Sequence, residues 1–219
     1  MREMHKHTTN LADIIGWSHY LCAEVLKPGD MAVDLTLGNG NDCLHLARCV
    51  EAGATGGVLG FDIQHAALER SARLLATHDF PTCIHTDKTR DCFVAHTEPY
   101  PDATTGVHLF HSGHQDLQRH LQRAPRVVLG NLGYLPGGDH SISTAAFTTL
   151  GAVKQGLAAL LPKGRLIMVV YPGHPAGQQE AKNLSEFFTT LIKQEWDVIQ
   201  IGCPNAAQAP FLLSAERRG

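Results

Sequence analysis

The chain is 219 residues long, 43% apolar and 18% charged, a balance that supports a packed core and excludes both intrinsic disorder and a membrane-embedded class. No apolar run approaches the roughly 20 residues needed to span a bilayer, and the polar start Met1–His7 lacks the apolar core of a secretory signal. No membrane is therefore expected, and a cytoplasmic location is the default. A formal charge of −3 does not mark a nucleic-acid binder, although an acidic chain can be basic on one face. Arg119, Arg123 and Arg126 with His120 are the candidate cluster, set against the plainer reading of a solvated helix face.

Taken in order, Leu11, Ile14, Ile15, Leu21, Cys22, Val25 and Leu26 recur at helical spacing. They predict a helix over residues 10–27, capped by Asn10 and stopped at Lys27-Pro28-Gly29-Asp30. Met31–Val33 reads as a buried strand closed by Asp34 and Thr36. Gly38-Asn39-Gly40-Asn41 then turns, and a helix opens at Asp42 and runs to about Glu51. Val58–Asp62 is the second strand, and Gln64 to about His78 the helix after it. Residues 79–105 carry Pro81, Pro99 and Pro101 and no convincing period, and read as an insertion into an otherwise regular alternation. Strands follow at 106–110, 126–130 and 165–171, with a short helix at 115–122 and longer ones at about 143–161 and 176–193. Strands near 196–202 and 209–215 have no helix between them and so form an antiparallel pair at a sheet edge.

Repeated strand–helix units make this an α/β chain, read as one domain over 1–219, with a mostly parallel seven-stranded sheet and helices on both faces. Ligands of such sheets bind beyond the carboxyl ends of the strands. The segments 36–42, 62–64, 111–114, 131–139 and 171–175 all fall there.

The cysteines Cys22, Cys43, Cys49, Cys83, Cys92 and Cys203 contain no C-x-x-C pair, which argues against a zinc ribbon or a thioredoxin-type motif. Cys22, Cys43 and Cys49 lie on helical patterns as small apolar residues. His108, His111 and His114 raise a metal site. His108, however, sits in the apolar stretch Val107–Phe110, where alternate residues face opposite sides. No metal is expected.

The turn after the first strand is the most informative stretch. Asp62 closes the second strand 22 residues after Gly40, where an acid accepts hydrogen bonds from ribose hydroxyls. Dinucleotides and S-adenosylmethionine are both held this way. A dinucleotide fingerprint reads G-x-G-x-x-G. Gly38-Asn39-Gly40-Asn41-Asp42-Cys43 lacks the third glycine, and Asp42 at the helix start would repel a pyrophosphate. S-adenosylmethionine has no phosphate and carries a sulfonium and an ammonium, which acids and amide oxygens favour. The plainer reading, in which Asp42 only caps its helix, is compatible with that role.

After the strand at 126–130 comes Asn131-Leu132-Gly133-Tyr134, which resembles the Asn-Pro-Pro-Tyr motif of amino-group methyltransferases. An amine needs acceptors that orient its N–H bonds, so that its lone pair faces the methyl carbon. An Asn oxygen does this, and an aromatic ring stacks on the substrate. Val33–Asp42, Asn131-Leu132-Gly133-Tyr134-Leu135-Pro136-Gly137-Gly138-Asp139 with Ser141, Ile142 and Thr144, and Val170–Gly177 together resemble the YtqB-like rRNA methylase family. Its studied members are tRNA 5-(aminomethyl)-2-thiouridine methyltransferases (MnmM). The resemblance covers nearly the whole chain except 79–105.

It implies a Rossmann-like class I methyltransferase fold, with S-adenosylmethionine as cofactor. It implies methyl transfer to the aminomethyl nitrogen of a modified wobble uridine, with the anticodon region of tRNA as partner. By position, Asp34, Gly38, Asn39, Gly40, Asn41, Asp62, Gln64, Gly113 and His114 should form the cofactor site. Asn131 and Tyr134 should be the catalytic pair. His111-Ser112-Gly113-His114 departs at Ser112 and Gly113 from the family's His-Asp-Ser-His, so side-chain contacts from those two positions are not carried over. Asp139, His140 and His174 are candidate proton acceptors, with water as the alternative. Methylation of ribosomal RNA or of a small amine, a dinucleotide-dependent oxidoreductase, a non-catalytic RNA-binding module and pairing into a homodimer all stay open at this stage.

Overall fold

The computed structural model describes residues 10–86, 90–92, 104–133, 146–206 and 208–219. The strands are β1 (Met31–Asp34), β2 (Gly57–Asp62), β3 (Thr82–His85), β4 (Arg90–Cys92), β5 (Gly106–His111), β6 (Val127–Asn131), β7 (Arg165–Val170), β8 (Trp196–Ile201) and β9 (Phe211–Arg217). The helices are α1 (Ile14–Val25), α2 (Asn41–Val50), α3 (His65–Ala76), α4 (Leu117–His120), α5 (Ala146–Ala159) and α6 (Pro175–Thr189). Among the described residues the strands form one sheet in the order β4-β3-β5-β2-β1-β6-β7-β9-β8. β1, β2, β3, β5, β6 and β7 run parallel, and β9 pairs antiparallel with both β7 and β8, the edge pair expected from the sequence.

Period-two alternation explains how one sheet supports two cores. In β6, Val127 and Leu129 face one side and Val128 the other; in β7, Ile167 and Val169 oppose Leu166, Met168 and Val170. The first face meets Ile14, Leu21 and Cys22 of α1, Leu46 of α2, and Leu68 and Leu75 of α3. The second meets Leu117 of α4, Ala152 and Leu157 of α5, and Leu184 and Phe188 of α6. Central strands buried on both faces read as continuous apolar runs, and each fully buried large apolar side chain contributes about 1.5–3 kcal/mol.

Two expectations change. The seven strands read from the sequence are present, but the stretch 79–105 adds two more. β3 extends the parallel sheet beside β5, and β4 pairs back on it antiparallel. Strands of four and three residues are too short to show a period. Cys83 is disulfide-bonded, and the residue opposite it in the β3–β4 register is Cys92. The second change is the cap of α1. Asp13 accepts the Gly16 N–H at 2.9 Å, while Asn10 caps only the preceding turn, through the Ala12 N–H at 3.1 Å.

The chain runs outward from β1 through β2 to the β5–β3 side, then returns to β6 on the other side of β1. The switch point of the sheet therefore lies at the carboxyl ends of β1 and β6, where ligands of such folds bind.

Candidate active site

A cleft of about 1150 Å³ opens at that switch point. It brings together Gly38, Asn39, Asn41, Asp62, Gln64, Gly113, His114 and Asn131 from four separate stretches of the chain. Asp34 and Gly40 do not line it; both are buried behind its wall. Tyr134, Asp139 and His140 lie outside the described residues.

One end of the cleft is built by backbone. Asp62 closes β2 and accepts the Gln64 N–H on Oδ1 at 2.8 Å and the Gly38 N–H on Oδ2 at 3.0 Å. The acid thus holds the glycine turn against the strand end. Each carboxylate oxygen has two lone pairs, so it retains acceptor capacity. Burial pushes the Asp62 carboxyl above its usual range, and the amides and the Arg70 charge pull the other way. Gly40 precedes α2 with φ of 83°, and a Cβ there would lie 2.7 Å from Ser71 Oγ and 2.9 Å from Ser71 Cα. The turn therefore needs glycine for both angle and space.

Asp34 stands beneath the turn. Its Oδ1 accepts the Thr36 N–H at 3.0 Å, whereas Oδ2 is buried with no partner among the described residues. Burial raises its carboxyl well above the ordinary range, and the neighbouring Asp42 and Asp62 charges add to that. Across the cleft, burial lowers the His114 imidazole, which favours the neutral ring, and its Nε2 is buried without a partner among the described residues.

The other end is built by side chains. The Asn131 N–H at the end of β6 donates to Thr36 Oγ1 at 2.6 Å, fixing the backbone. Its side-chain Nδ2 donates to Asp42 Oδ2 at 3.2 Å, and Asp42 Oδ1 meets His19 Nε2 of α1 at 2.6 Å. Tyr171, just past β7, lines the cleft and hydrogen-bonds the Asn131 side chain. Burial, with the Asp42 charge behind it, raises the Tyr171 phenol, which keeps the hydroxyl protonated. An ionised carboxylate only accepts, so Asp42 must face the Asn131 NH2 group and the planar amide turns its oxygen the other way.

Asp42 was read from the sequence as an acid near a positive ligand, and the structure adds its partners. His19 escaped the sequence reading, and Tyr171 entered it only within the segment 171–175, with no role of its own. Tyr171 carried a signal, since it ends the most apolar strand. His19 carried none within its own helix, because the contact spans 23 residues. His174 lines the cleft, but its Nδ1 accepts the Gly177 N–H at the start of α6. His108 is fully buried, with hydrogen bonds to the Thr105 carbonyl and to His85, both at 2.9 Å.

A Rossmann-like sheet with an antiparallel terminal pair, and a ligand cleft at its switch point, define the class I methyltransferase architecture. The chain belongs to the family described as "Putative rRNA methylase", whose model matches residues 58–216. A curated relative is the Arabidopsis thaliana "tRNA (mnm(5)s(2)U34)-methyltransferase, chloroplastic", 32% identical over 206 residues, covering 92% of this chain and 68% of the relative. Among solved structures, a "putative rRNA-methylase" from Clostridium thermocellum is 31% identical with a TM-score of 0.78. It covers 93% of this chain and 97% of that one. A Streptococcus mutans "putative methyltransferase", solved in complex with SAH, is 28% identical with a TM-score of 0.74 and the same coverage of 93% and 97%.

Proposed function

We propose that this protein transfers a methyl group from S-adenosylmethionine to an amino nitrogen of RNA, namely the 5-aminomethyl group of the (2-thio)uridine at the tRNA wobble position. The observation that carries this reading is the Asn131 amide. Asp42 holds its nitrogen, and its oxygen is left to accept an N–H inside a cleft that also has a ribose-type acid. The donor set suits the cofactor. Asp62 offers acceptors for ribose hydroxyls, Asn39 and Asn41 offer amides for the methionine part, and Gly113 and His114 border the nucleoside end. Asp42, which lines the cleft at the start of α2, makes the turn a poor seat for a pyrophosphate and a good one for a cation.

When bound, S-adenosylmethionine supplies an electrophilic methyl on a sulfonium. The chain's own contribution is orientation and a neutral amine. Asn131 accepts one N–H of the amine on its side-chain oxygen, while its amide nitrogen donates to Asp42 and to the Tyr171 phenol oxygen. Tyr134, the residue after Gly133, stacks on the substrate base. No thiolate takes part: Cys22 and Cys43 are buried and burial raises both thiols, which keeps them protonated. Water, or one of Asp139, His140 and His174, accepts the proton of a substrate that arrives as ammonium.

The name of the Arabidopsis relative supports the wobble uridine, and the family description keeps ribosomal RNA as the second reading. The cytoplasmic expectation stands beside that relative's chloroplastic designation, and among the described residues no helix is long and apolar enough to cross a membrane. Nucleoside mass spectrometry of tRNA and rRNA from a strain lacking the gene separates the two substrates. Accumulation of unmethylated 5-aminomethyl nucleoside in tRNA is the expected result. A normal tRNA profile with a missing methyl in rRNA would transfer the assignment to the ribosome.

A further inference from the structure

The chain His19–Asp42–Asn131–Tyr171 links α1, α2, the end of β6 and the residue after β7 through side chains alone. Asp42, Asn131 and Tyr171 line the cleft. His19, at the far end, does not, yet its 2.6 Å contact with Asp42 Oδ1 is shorter than the 3.2 Å from Asn131 Nδ2 to Asp42 Oδ2. The His19 ring is itself held. It stacks on His45 with ring centroids 4.0 Å apart and 4° between planes. His45 Nε2 bonds back to the His19 carbonyl at 3.0 Å.

We propose that His19 is a positioning residue for methyl transfer: by holding Asp42 Oδ1 it aims Oδ2 at the Asn131 amide nitrogen, and so fixes that amide with its oxygen toward the reacting amine. This rests on the function proposed above. The physical reason lies in what holds Asp42. Its side chain is 11% exposed, and its two oxygens meet different partners, Oδ1 at His19 Nε2 and Oδ2 at Asn131 Nδ2. A carboxylate held at one oxygen has its second oxygen fixed in direction. Without His19 the Asp42 carboxylate can turn about its broad terminal torsion, and the Asn131 amide loses the fixed acceptor that keeps its nitrogen on one side and its oxygen on the other. Tyr171 reinforces the same orientation: its hydrogen bond with Asn131 favours the phenolate, as donation from the amide nitrogen to the phenol oxygen does. Reactive geometry is sensitive to such small displacements: a 1 Å error in placement costs about 10²-fold in rate.

The test compares His19→Ala with His19→Gln, whose amide nitrogen can donate from nearly the position of the imidazole Nε2. Three readouts are taken on the full chain. Calorimetry follows S-adenosylmethionine binding, and steady-state kinetics follow methyl transfer to tRNA bearing 5-aminomethyl-2-thiouridine. Heteronuclear NMR follows the Asn131 side-chain amide, assigned by its loss in Asn131→Asp. The expected result for His19→Ala is retained cofactor binding, an unchanged KM for RNA, and a kcat lowered by about 10²-fold. The Asn131 amide signal should move toward that of a solvated amide. His19→Gln should restore most of the kcat and the wild-type amide signal. Wild-type kcat in His19→Ala, or an Asn131 signal indifferent to both substitutions, would overturn the proposal. If the wild-type protein fails to methylate this tRNA, the function reading falls, while the NMR arm still decides whether His19 orients Asn131.

Discussion

The two ends of the cleft are made differently. At the Asp62 end one carboxylate gathers two backbone amides, and the geometry follows from a glycine turn at the end of a parallel strand. At the Asn131 end, four side chains from positions 19, 42, 131 and 171 hold one another in sequence. Backbone-built sites tolerate side-chain changes nearby, because the amides are supplied by any residue with the right torsion angles. A side-chain relay has no such tolerance, since each member is oriented only by its neighbour. The comparison implies that binding and turnover should separate under mutation: changes at the first end should act on cofactor affinity and stability, and changes at the second on rate.

The largest expected effect tests that separation directly. Asn131→Ala removes the amide oxygen and leaves Asp42 short of a donor. The expected result is a fall in kcat of about 10²-fold or more with S-adenosylmethionine binding retained. Equal loss of both would merge the two ends into one. A smaller effect is expected from Gly40→Ala. The φ of 83° and the approach to Ser71 should cost about 1–3 kcal/mol of stability, read as a lower Tm. Cofactor affinity should fall with it, because the turn moves as a unit.

The smallest effect should depend on pH. Asp34 has its carboxyl raised by burial and by neighbouring acids, so above the ordinary carboxylate value the folded chain holds a proton that the unfolded chain has released. Stability contributed by this residue therefore falls as pH rises through that window. Asp34→Asn should raise Tm at neutral and alkaline pH, and the gain should vanish as pH drops below the ordinary carboxylate range. A gain independent of pH would contradict the assignment.

Much of this arrangement is legible in the sequence. The apolar runs of β1, β2, β6 and β7, and the glycine turn between β1 and α2, placed the cleft at the carboxyl ends of the strands. Asp62 stood out because it ends an apolar strand, and Asn131 because Asn131–Tyr134, just past another strand, resembles a motif of amino-group methyltransferases. What stayed hidden had two physical causes. β3 and β4 are too short for a period, so the stretch that contains them read as an irregular insertion although it lengthens the sheet. The contacts of His19 and Tyr171 are tertiary. A histidine on an amphipathic helix looks like any other until α1 is laid against α2 and the Asp42 carboxylate meets its ring.

The central claim is that the Asn131 end of the cleft holds an aminomethyl group of tRNA. Methyl transfer from labelled S-adenosylmethionine to one tRNA, prepared with and without the 5-aminomethyl group at the wobble uridine, tests it most directly. The account predicts label on the aminomethyl nitrogen of the first tRNA and none on the second. Equal labelling of both, or labelling at any other nucleoside, would contradict it.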